Sequence, residues 1–309
     1  MNSLSLPIDQ RFRGCLLGLA IGDAVGTTVE FKRRGSFAAV TDMVGGGPFG
    51  LKPGQWTDDT SMALCLATSL VQTSGFDPVD QMNRYCAWQE EGYLSSTGTC
   101  FDIGNTVRQA LQQYRISGNP FCGPTHPRSA GNGCLMRLAP IPMFFFADRD
   151  RVLHFSAESS RTTHGATECI EASQLFGAML WGALAGANKA EILFENDGLM
   201  LKSASLQAIA QGEYREKPKE AIRGTGYVVE SLEAALWCFW MTNTYAEAVL
   251  AATNLGDDAD TTAAICGQLA GAYYGEADIP SHWREQLAMR SEITHLANQL
   301  CSAAHRTDD

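Results

Sequence analysis

The chain has 309 residues, of which 45% are hydrophobic and 18% charged, and its formal net charge is −11. This length suits one large domain with a sizeable core, and the negative charge argues against binding to a nucleic-acid backbone, which needs clustered lysine and arginine. The ten cysteines form no CxxC pair and lie mostly in apolar stretches, as reduced thiols of cytoplasmic proteins do.

Apolar residues recur at helical spacing along most of the chain, and long alternating patterns typical of strands are missing. The predicted helical segments are residues 12–20, 62–70, 107–114, 168–187, 229–241, 245–254 and 261–274. The best strand-like piece is 35–44. We therefore predict one all-α domain over residues 1–309, with a C-terminal helix and tail at 282–309 that frays after His295.

Neither a leader nor a membrane span is expected from the sequence. The N-terminus has no apolar signal-peptide core. The longest nearly apolar stretch, residues 175–187, is too short to span a bilayer. We expect a cytoplasmic monomer that contacts no membrane.

The first chemically unusual segment is 22–31, where Asp23 and Glu30 stand at the end of an otherwise apolar helix. Glu30 could reach a metal site or a substrate. The alternative is that Asp23 is a buried hydrogen-bonding residue and Glu30 a solvated one.

Two short acidic clusters lie about 200 residues apart, and each opens a helix-like apolar run. The first is Thr57, Asp58 and Asp59; the second includes Asp258, Asp260 and Thr261. A single cluster of this kind is most simply a helix N-cap. Two matching clusters indicate instead a shared site for hard divalent cations, which take oxygen ligands and in two-metal sites stand about 4 Å apart.

Three shorter motifs lie between these clusters. Asp102 precedes a predicted helix and is either a cap or a functional carboxylate. The turn Gly131-Asn132-Gly133 offers backbone N–H groups that suit an anion, or it is a plain helix entry. His164 in the TTHG segment is a general base, a ribose partner or a cap.

Taken together, these segments resemble the ADP-ribosylglycohydrolase family over about residues 11–275. The resemblance is carried by GCLLGLAIGDAVGTTVEF, GQWTDDTSMALCLA, FDIGNT, GNGCLMRLAPI, TTHG and NLGDDADTTAAICGQLAGAYYG. It implies a compact all-α domain with two divalent cations, Mg²⁺ or Mn²⁺, at the base of a cleft. It also implies hydrolysis of the bond between ADP-ribose and a modified side chain.

The resemblance assigns roles residue by residue. The implied metal ligands are Thr57, Asp58, Asp59, Asp258, Asp260 and Thr261. The implied catalytic carboxylates are Glu30, Asp102 and Asp59. The implied substrate-binding residues are Gly131, Asn132, Gly133, Cys134, Met136 and His164. The extra acidic residue Asp257 is expected outside the ligand set.

A negative pocket suits the guanidinium of ADP-ribosyl-arginine, so we expect an ADP-ribosylated protein with modified arginine as substrate. Three alternatives remain. The acceptor is a serine or a small conjugate such as O-acetyl-ADP-ribose; the metals hydrolyse a pyrophosphate or phosphoester; or the protein is a non-catalytic, crystallin-like relative that only binds.

Overall fold

The computed structural model describes residues 6–195 and 198–305. In these ranges the chain forms fourteen α-helices and five short 3-10 turns, with isolated bridges in place of strands. The helices are α1 (Ile8–Gly26), α2 (Asp58–Thr73), α3 (Pro78–Glu91), α4 (Asn105–Ser117), α5 (Pro140–Phe144), α6 (Arg149–Thr163), α7 (Thr167–Ala185), α8 (Lys189–Phe194), α9 (Ala204–Ala210), α10 (Val228–Met241), α11 (Tyr245–Thr253), α12 (Ala259–Tyr274), α13 (Ser281–Gln286) and α14 (Arg290–Ala304). The all-α prediction is confirmed.

The strand-like piece at 35–44 was wrongly predicted, because its backbone partner is a side chain and not another strand. The backbone N–H of Val40 donates to Asn254 Oδ1 at 2.8 Å, and Asn254 Nδ2 donates back to Val40 O at 2.9 Å. An amide side chain from the end of α11 thus satisfies this loop.

The prediction that the chain frays after His295 is also wrong for the residues up to 304. Helix α14 continues to Ala304, because Ala297, Leu300 and Ala304 are buried. The final segment, Arg306–Asp309, lies outside the described residues.

Helices α1 and α12 pack against each other with their backbones in contact along a stripe of small residues. A Cβ added at Gly14 would lie 2.2 Å from Gly271 O, and one at Gly18 would lie 2.3 Å from Gly267 O. Further along, Gly26 meets Ala259 O at 2.5 Å by the same measure. The partners run in opposite directions, so the two helices are antiparallel and the end of α1 meets the start of α12.

The start of α2 reaches the same point through Asp23 of α1. The Asp23 carboxylate accepts hydrogen bonds from the backbone N–H groups of Thr57 at 2.9 Å and Thr60 at 3.1 Å, and from both of their hydroxyls. It thereby satisfies backbone donors that a helix start leaves open. One helix end and two helix starts therefore converge, and helix N-termini favour negative charge.

The segment Ile8–Val29 is long and apolar enough to cross a membrane by length and composition alone. Within the fold, 89% of its most apolar window is buried. Its apolar character is therefore explained by its place at the centre of the core, against α12.

Candidate active site and metal centre

The structure brings the two acidic clusters together at the convergence of α1, α2 and α12. Thr57 Oγ1 lies 3.4 Å from Asp260 Oδ2, and Thr261 Oγ1 lies 3.3 Å from Asp59 Oδ1. These contacts join side chains about 200 positions apart in sequence. The clusters therefore form one site.

Carboxylate oxygens at this site form two groups that share one residue. In the first, oxygens of Asp23, Asp59 and Asp260 lie within 4.8 Å of one another. In the second, the same holds for Glu30, Asp102 and Asp260. Each group offers oxygen ligands of the kind that hard divalent cations take, and Asp260 stands between them.

The N-cap interpretation of the clusters is right about position but wrong about the side-chain hydrogen bonds. Thr57 and Asp258 precede α2 and α12, but neither side chain makes a capping hydrogen bond. Asp23 performs that task for α2 and is, as one alternative predicted, a buried hydrogen-bonding residue. The cluster carboxylates therefore do not cap their own helices and can bind another partner.

Whether a cation fits this site can be judged from the buried carboxylate oxygens that have no hydrogen-bond partner. Asp59 Oδ2 and Asp260 Oδ1 are both fully buried and have no hydrogen-bond partner. Burial of such an oxygen is costly unless a partner compensates it. Divalent cations would compensate both atoms, so these residues fit the metal that the resemblance implies.

The shifted pKa values have the same origin. Burial, followed by the charges of Asp102 and Asp258, raises the pKa of Glu30 to about 9. Burial, followed by Asp23 and Asp258, raises the pKa of Asp102 to about 7. Burial with neighbouring carboxylates also raises the pKa of Asp260 well above its usual range. A bound cation would reverse these shifts because it favours the ionised forms.

Glu30 and Asp102 both line the cleft above this centre. The expectation of a solvated Glu30 is wrong, because the residue is 3% exposed and lies within 3.4 Å of Thr27 Oγ1. The N-cap alternative for Asp102 is wrong too. Helix α4 begins at Asn105 with Gly104 as its cap, and Asp102 has a left-handed backbone with φ 60°.

The side chain of Asn132 connects the acidic centre with the opposite side of the cleft. Its Nδ2 donates to Asp258 Oδ2 at 2.7 Å and to Ser231 Oγ at 3.2 Å. Its backbone N–H donates to Gly226 O, and that of Gly131 to Ser129 O. These two backbone N–H groups are therefore not available to an anion. The prediction that the turn binds an anion is wrong for them.

The remaining predicted substrate residues divide into two groups. Gly131, Gly133, Met136 and His164 line the cleft, as do Asp58, Asn132, Asp258, Asp260 and Thr261. Cys134 does not line it, because its thiol contacts the carbonyl oxygens of Gly131 and Cys169 behind the wall. Thr57 and Asp59 are fully buried and also do not line the cleft.

The cleft has a volume of about 1030 Å³ and an aromatic mouth. The Phe49 and Phe101 ring centroids lie 5.1 Å apart, and the Phe31 ring meets that of Phe49 edge-on at 6.5 Å. Phe31 is 67% exposed. An aromatic ring with this exposure, next to Glu30, forms a contact surface for a ligand that enters the cleft.

Comparison with known proteins is consistent with this geometry. The sequence pattern described as ADP-ribosylglycohydrolase matches residues 5–309. The chain belongs to the ADP-ribosylglycohydrolase family. The resemblance seen in the sequence is thereby confirmed, and the family consists of hydrolytic enzymes.

Within the ADP-ribosylglycohydrolase family, two relatives are similar over nearly the whole chain. ADP-ribosylarginine hydrolase Tri1 of Pseudomonas putida is 45% identical over 97% of this chain and 80% of its own length. The protein of the same name from Serratia proteamaculans is 44% identical over 96% of this chain and 80% of its own length. A solved structure described as an ADP-ribosylglycohydrolase-related protein complex superimposes with a TM-score of 0.86 at 42% identity, covering 96% of this chain and 99% of that one.

Sequence reasoning overlooked three contributors to this ADP-ribosylglycohydrolase site. Asp23 was read only as a buried residue, although it positions the start of α2. The mouth residue Phe31 directly follows Glu30 and gave no signal of its own. Arg137 was overlooked although a lone charge in the apolar run 134–138 is visible in the sequence.

Proposed function

We propose that the protein is a metal-dependent hydrolase that releases ADP-ribose from arginine side chains of modified proteins. The observation that carries the proposal is the pair of carboxylate groups sharing Asp260 at the base of a large cleft. The two relatives named ADP-ribosylarginine hydrolase support arginine as the acceptor.

Two cations, Mg²⁺ or Mn²⁺, are the proposed cofactors. The residues proposed to hold them are Thr57, Asp58, Asp59, Asp258, Asp260 and Thr261. Glu30 and Asp102 lie in one carboxylate group with Asp260, but we assign them proton transfer instead. When bound, the cations supply positive charge that neutralises these carboxylates and attracts the hydroxyl oxygens of a ribose. The site offers oxygen donors only, which favours hard cations over zinc or copper.

Glu30 and Asp102 are the proposed proton-transfer groups, because both carboxylates line the cleft. In the reaction the bond between ribose C1″ and the guanidine nitrogen breaks, and a water oxygen bonds to C1″. One carboxylate accepts a proton from the water and the other donates one to the leaving nitrogen. Glu30 is the proposed donor, because it directly precedes Phe31 at the mouth of the cleft, where the leaving guanidine would lie. Asp59 is fully buried, and we assign it metal binding alone.

The mouth of the cleft supports a cationic leaving group. A guanidinium stacks on aromatic faces and is attracted by carboxylates. Phe31, Phe49 and Phe101 provide the faces, and Glu30 and Asp102 lie next to them in the cleft lining. A serine acceptor would use neither feature.

A second cavity of about 590 Å³ adjoins the cleft and provides room for the nucleotide. The two spaces share Thr106, Gly131 and Gly226 in their walls. Arg128 and Tyr227 line the second one. We place the terminal ribose at the carboxylates and the ADP portion along the glycines towards Arg128 and Tyr227. The Tyr227 hydroxyl donates to Glu168, which also lines this cavity.

The cysteines support a reducing compartment. All ten are free thiols, so we propose that the protein acts in the cytoplasm, as a monomer on a modified partner protein.

The deciding experiment measures release of ADP-ribose from an arginine-ADP-ribosylated protein with Mg²⁺ or Mn²⁺ and again with EDTA. We expect release of intact ADP-ribose that EDTA abolishes. Cleavage of ADP-ribosyl-serine or O-acetyl-ADP-ribose with the arginine substrate left intact would overturn the acceptor. AMP plus ribose 5-phosphate as products would overturn glycohydrolysis itself.

The proton-donor assignment has its own test in two substrates with different leaving groups. Glu30→Gln should slow release of arginine by at least about 100-fold, with a much smaller effect on an ADP-ribosyl ester, whose leaving group needs no proton. An equal loss on both substrates would contradict the assignment and point to a metal-binding role for Glu30.

A further inference from the structure

Arg137 is a fully buried cation behind the wall of the cleft, and its hydrogen-bond partners are neutral oxygens. Its guanidinium donates to Gly133 O at 3.1 Å, to Ser159 O at 3.2 Å and to Thr163 Oγ1 at 2.7 Å. It also lies 4.9 Å from the centre of the Tyr85 ring. No carboxylate of the described ranges forms a salt bridge with it. Arg137 thus joins the glycine turn to the end of α6.

The hydrogen bond to Thr163 fixes the direction of the next one. A guanidinium has only donor hydrogens, so Thr163 Oγ1 must accept from Arg137. The hydroxyl hydrogen of Thr163 then remains for one acceptor, and His164 Nδ1 lies 2.8 Å away. If Nδ1 carried a hydrogen, the hydroxyl hydrogen would be left without an acceptor. Nδ1 is therefore the acceptor, and the ring hydrogen is on Nε2.

The Nε2 edge of His164 faces the cleft between two glycines. A Cβ added at Gly133 would lie 3.1 Å from Nε2 and 2.8 Å from Cε1, and one at Gly131 would lie 3.4 Å from Nε2. Because these positions lack side chains, the ring reaches the cleft lining. Ser160 holds the backbone of His164 from both sides, through its carbonyl at 2.7 Å and its hydroxyl at 2.9 Å.

We propose that Arg137 is a positioning residue which, through Thr163, fixes His164 as a neutral Nε2–H donor aimed into the cleft. His164 donates this hydrogen to an acceptor oxygen of the ligand and transfers no proton during the reaction. The identity of that ligand, an ADP-ribose with phosphate and hydroxyl oxygens, rests on the proposed function. The tautomer of His164 does not rest on it.

The charge state of the ring agrees with this arrangement. Burial, reinforced by the nearby charge of Arg137, lowers the pKa of His164 to about 3. A ring with this pKa is neutral near neutral pH. A general base near neutral pH would need a much higher pKa.

The tautomer can be read directly by ¹⁵N NMR of histidine-labelled protein. Long-range ¹H–¹⁵N spectra distinguish the two neutral tautomers from the imidazolium, and the spectrum of His164→Gln identifies His164 among the six histidines. We expect the Nε2–H pattern, unchanged between pH 5.5 and 8.5. An Nδ1–H pattern, or a titration in this range, would overturn the proposal.

Thr163→Val tests the connection without removing the buried charge of Arg137. We expect the tautomer pattern to change and the affinity for ADP-ribose, measured by calorimetry, to fall about 10-fold. Thr163→Ser keeps the hydroxyl and should restore both. The matched control is Thr162→Val, because the Thr162 hydroxyl also accepts from the Arg137 guanidinium, at 3.4 Å, and donates to Ser159 O at 2.7 Å, but forms no hydrogen bond with His164. Equal effects of Thr163→Val and Thr162→Val would overturn the role of Thr163.

A second ligand locates the acceptor oxygen. If Thr163→Val weakens ADP as much as ADP-ribose, the Nε2–H group donates to the nucleotide portion. If it weakens ADP-ribose only, the acceptor is on the terminal ribose, and both results support the proposal. Neither readout uses turnover, so failure of the proposed hydrolysis would appear separately, as absence of ADP-ribose release.

Discussion

The two sides of the cleft solve the problem of buried charge in opposite ways. The acidic wall, formed by Glu30, Asp58, Asp102, Asp258 and Asp260, collects like charges at three helix ends. The neutral wall, formed by Gly131, Gly133 and His164, has the buried Arg137 cation behind it. Carbonyl and hydroxyl oxygens of the same chain surround that cation.

This difference indicates which wall depends on a ligand. In the acidic wall Asp260 has an oxygen without a hydrogen-bond partner, as does Asp59 behind it, and several pKa values are strongly raised, so we expect this wall to be complete only with added cations. Behind the neutral wall, the hydrogen bonds of Arg137 to Gly133, Ser159 and Thr163 form without them, although Arg137 Nε has no partner. Asn132 joins the walls through its bond to Asp258. We therefore expect metal removal to change one wall and leave the other as it is.

The largest effect is expected for Asp260, which belongs to both carboxylate groups. Asp260→Asn should abolish metal binding and ADP-ribose release. In EDTA, however, its melting temperature should exceed that of the wild type, because one of several repelling carboxylates is gone. Metal analysis, a release assay and thermal unfolding measure the three quantities. Asp148→Asn, at the exposed cap of α6, is the control, and full activity in Asp260→Asn would end the shared-ligand model.

A smaller effect is expected where the walls are joined. Asn132→Ala removes the hydrogen bond that orients Asp258, so Mn²⁺ affinity should fall by about 10- to 100-fold. Calorimetric titration with Mn²⁺ measures the change, and Asn132→Asp should be worse because it adds a like charge. Unchanged Mn²⁺ affinity with weakened ADP-ribose binding would place Asn132 on the ligand instead.

The support of the acidic wall can be weakened from a distance. Gly22→Ala places a Cβ 2.3 Å from Ala263 O, so α1 and α12 must separate. We expect a loss of at least about 2 kcal/mol in the free energy of unfolding, together with weaker metal binding. Gly182→Ala is the matched control, because its nearest neighbour is 3.6 Å away. Denaturant unfolding measures the free energy of unfolding of both variants. Equal values would contradict the close backbone contact at Gly22.

The smallest effect is expected from a change of pH alone, which should alter the protonation of the acidic wall and not that of the neutral wall. Without metal, the folded-state pKa values of about 9 for Glu30 and about 7 for Asp102 exceed the values near 4 expected of carboxyls in an unfolded chain. Between pH 5 and 8 the folded protein therefore binds more protons than the unfolded chain, and its free energy of unfolding falls as pH rises.

In EDTA the melting temperature should accordingly fall from pH 5 to pH 8 by at least about 5 °C. Saturating Mg²⁺ or Mn²⁺ should remove most of this slope. The His164 signals should stay constant in the same series. A metal-free melting temperature that rises with pH would show that ionising the carboxylates of the acidic wall does not destabilise the fold.

The sequence predicts the acidic wall better than the neutral one, for a physical reason. A helix start rich in carboxylates is a local pattern, and both clusters were recognised as candidate ligands from their own residues. The role of Arg137 depends on carbonyl and hydroxyl oxygens at Ser159 and Thr163, which tertiary packing alone brings near it. The strand-like piece at 35–44 was misread for the same reason, since its partner Asn254 lies far along the chain.

The close pairing of α1 with α12 also has a consequence for how the chain is made. A ribosome releases α1 early, and the helix that covers its glycine stripe emerges only near the end of synthesis. Until then the glycine stripe on α1 has no partner, and exposed apolar surfaces in unfinished chains invite aggregation and engage chaperones. A nascent chain that ends before α12 also lacks Asp258 and Asp260. We therefore expect the enzyme to stay inactive until nearly the whole polypeptide has been translated.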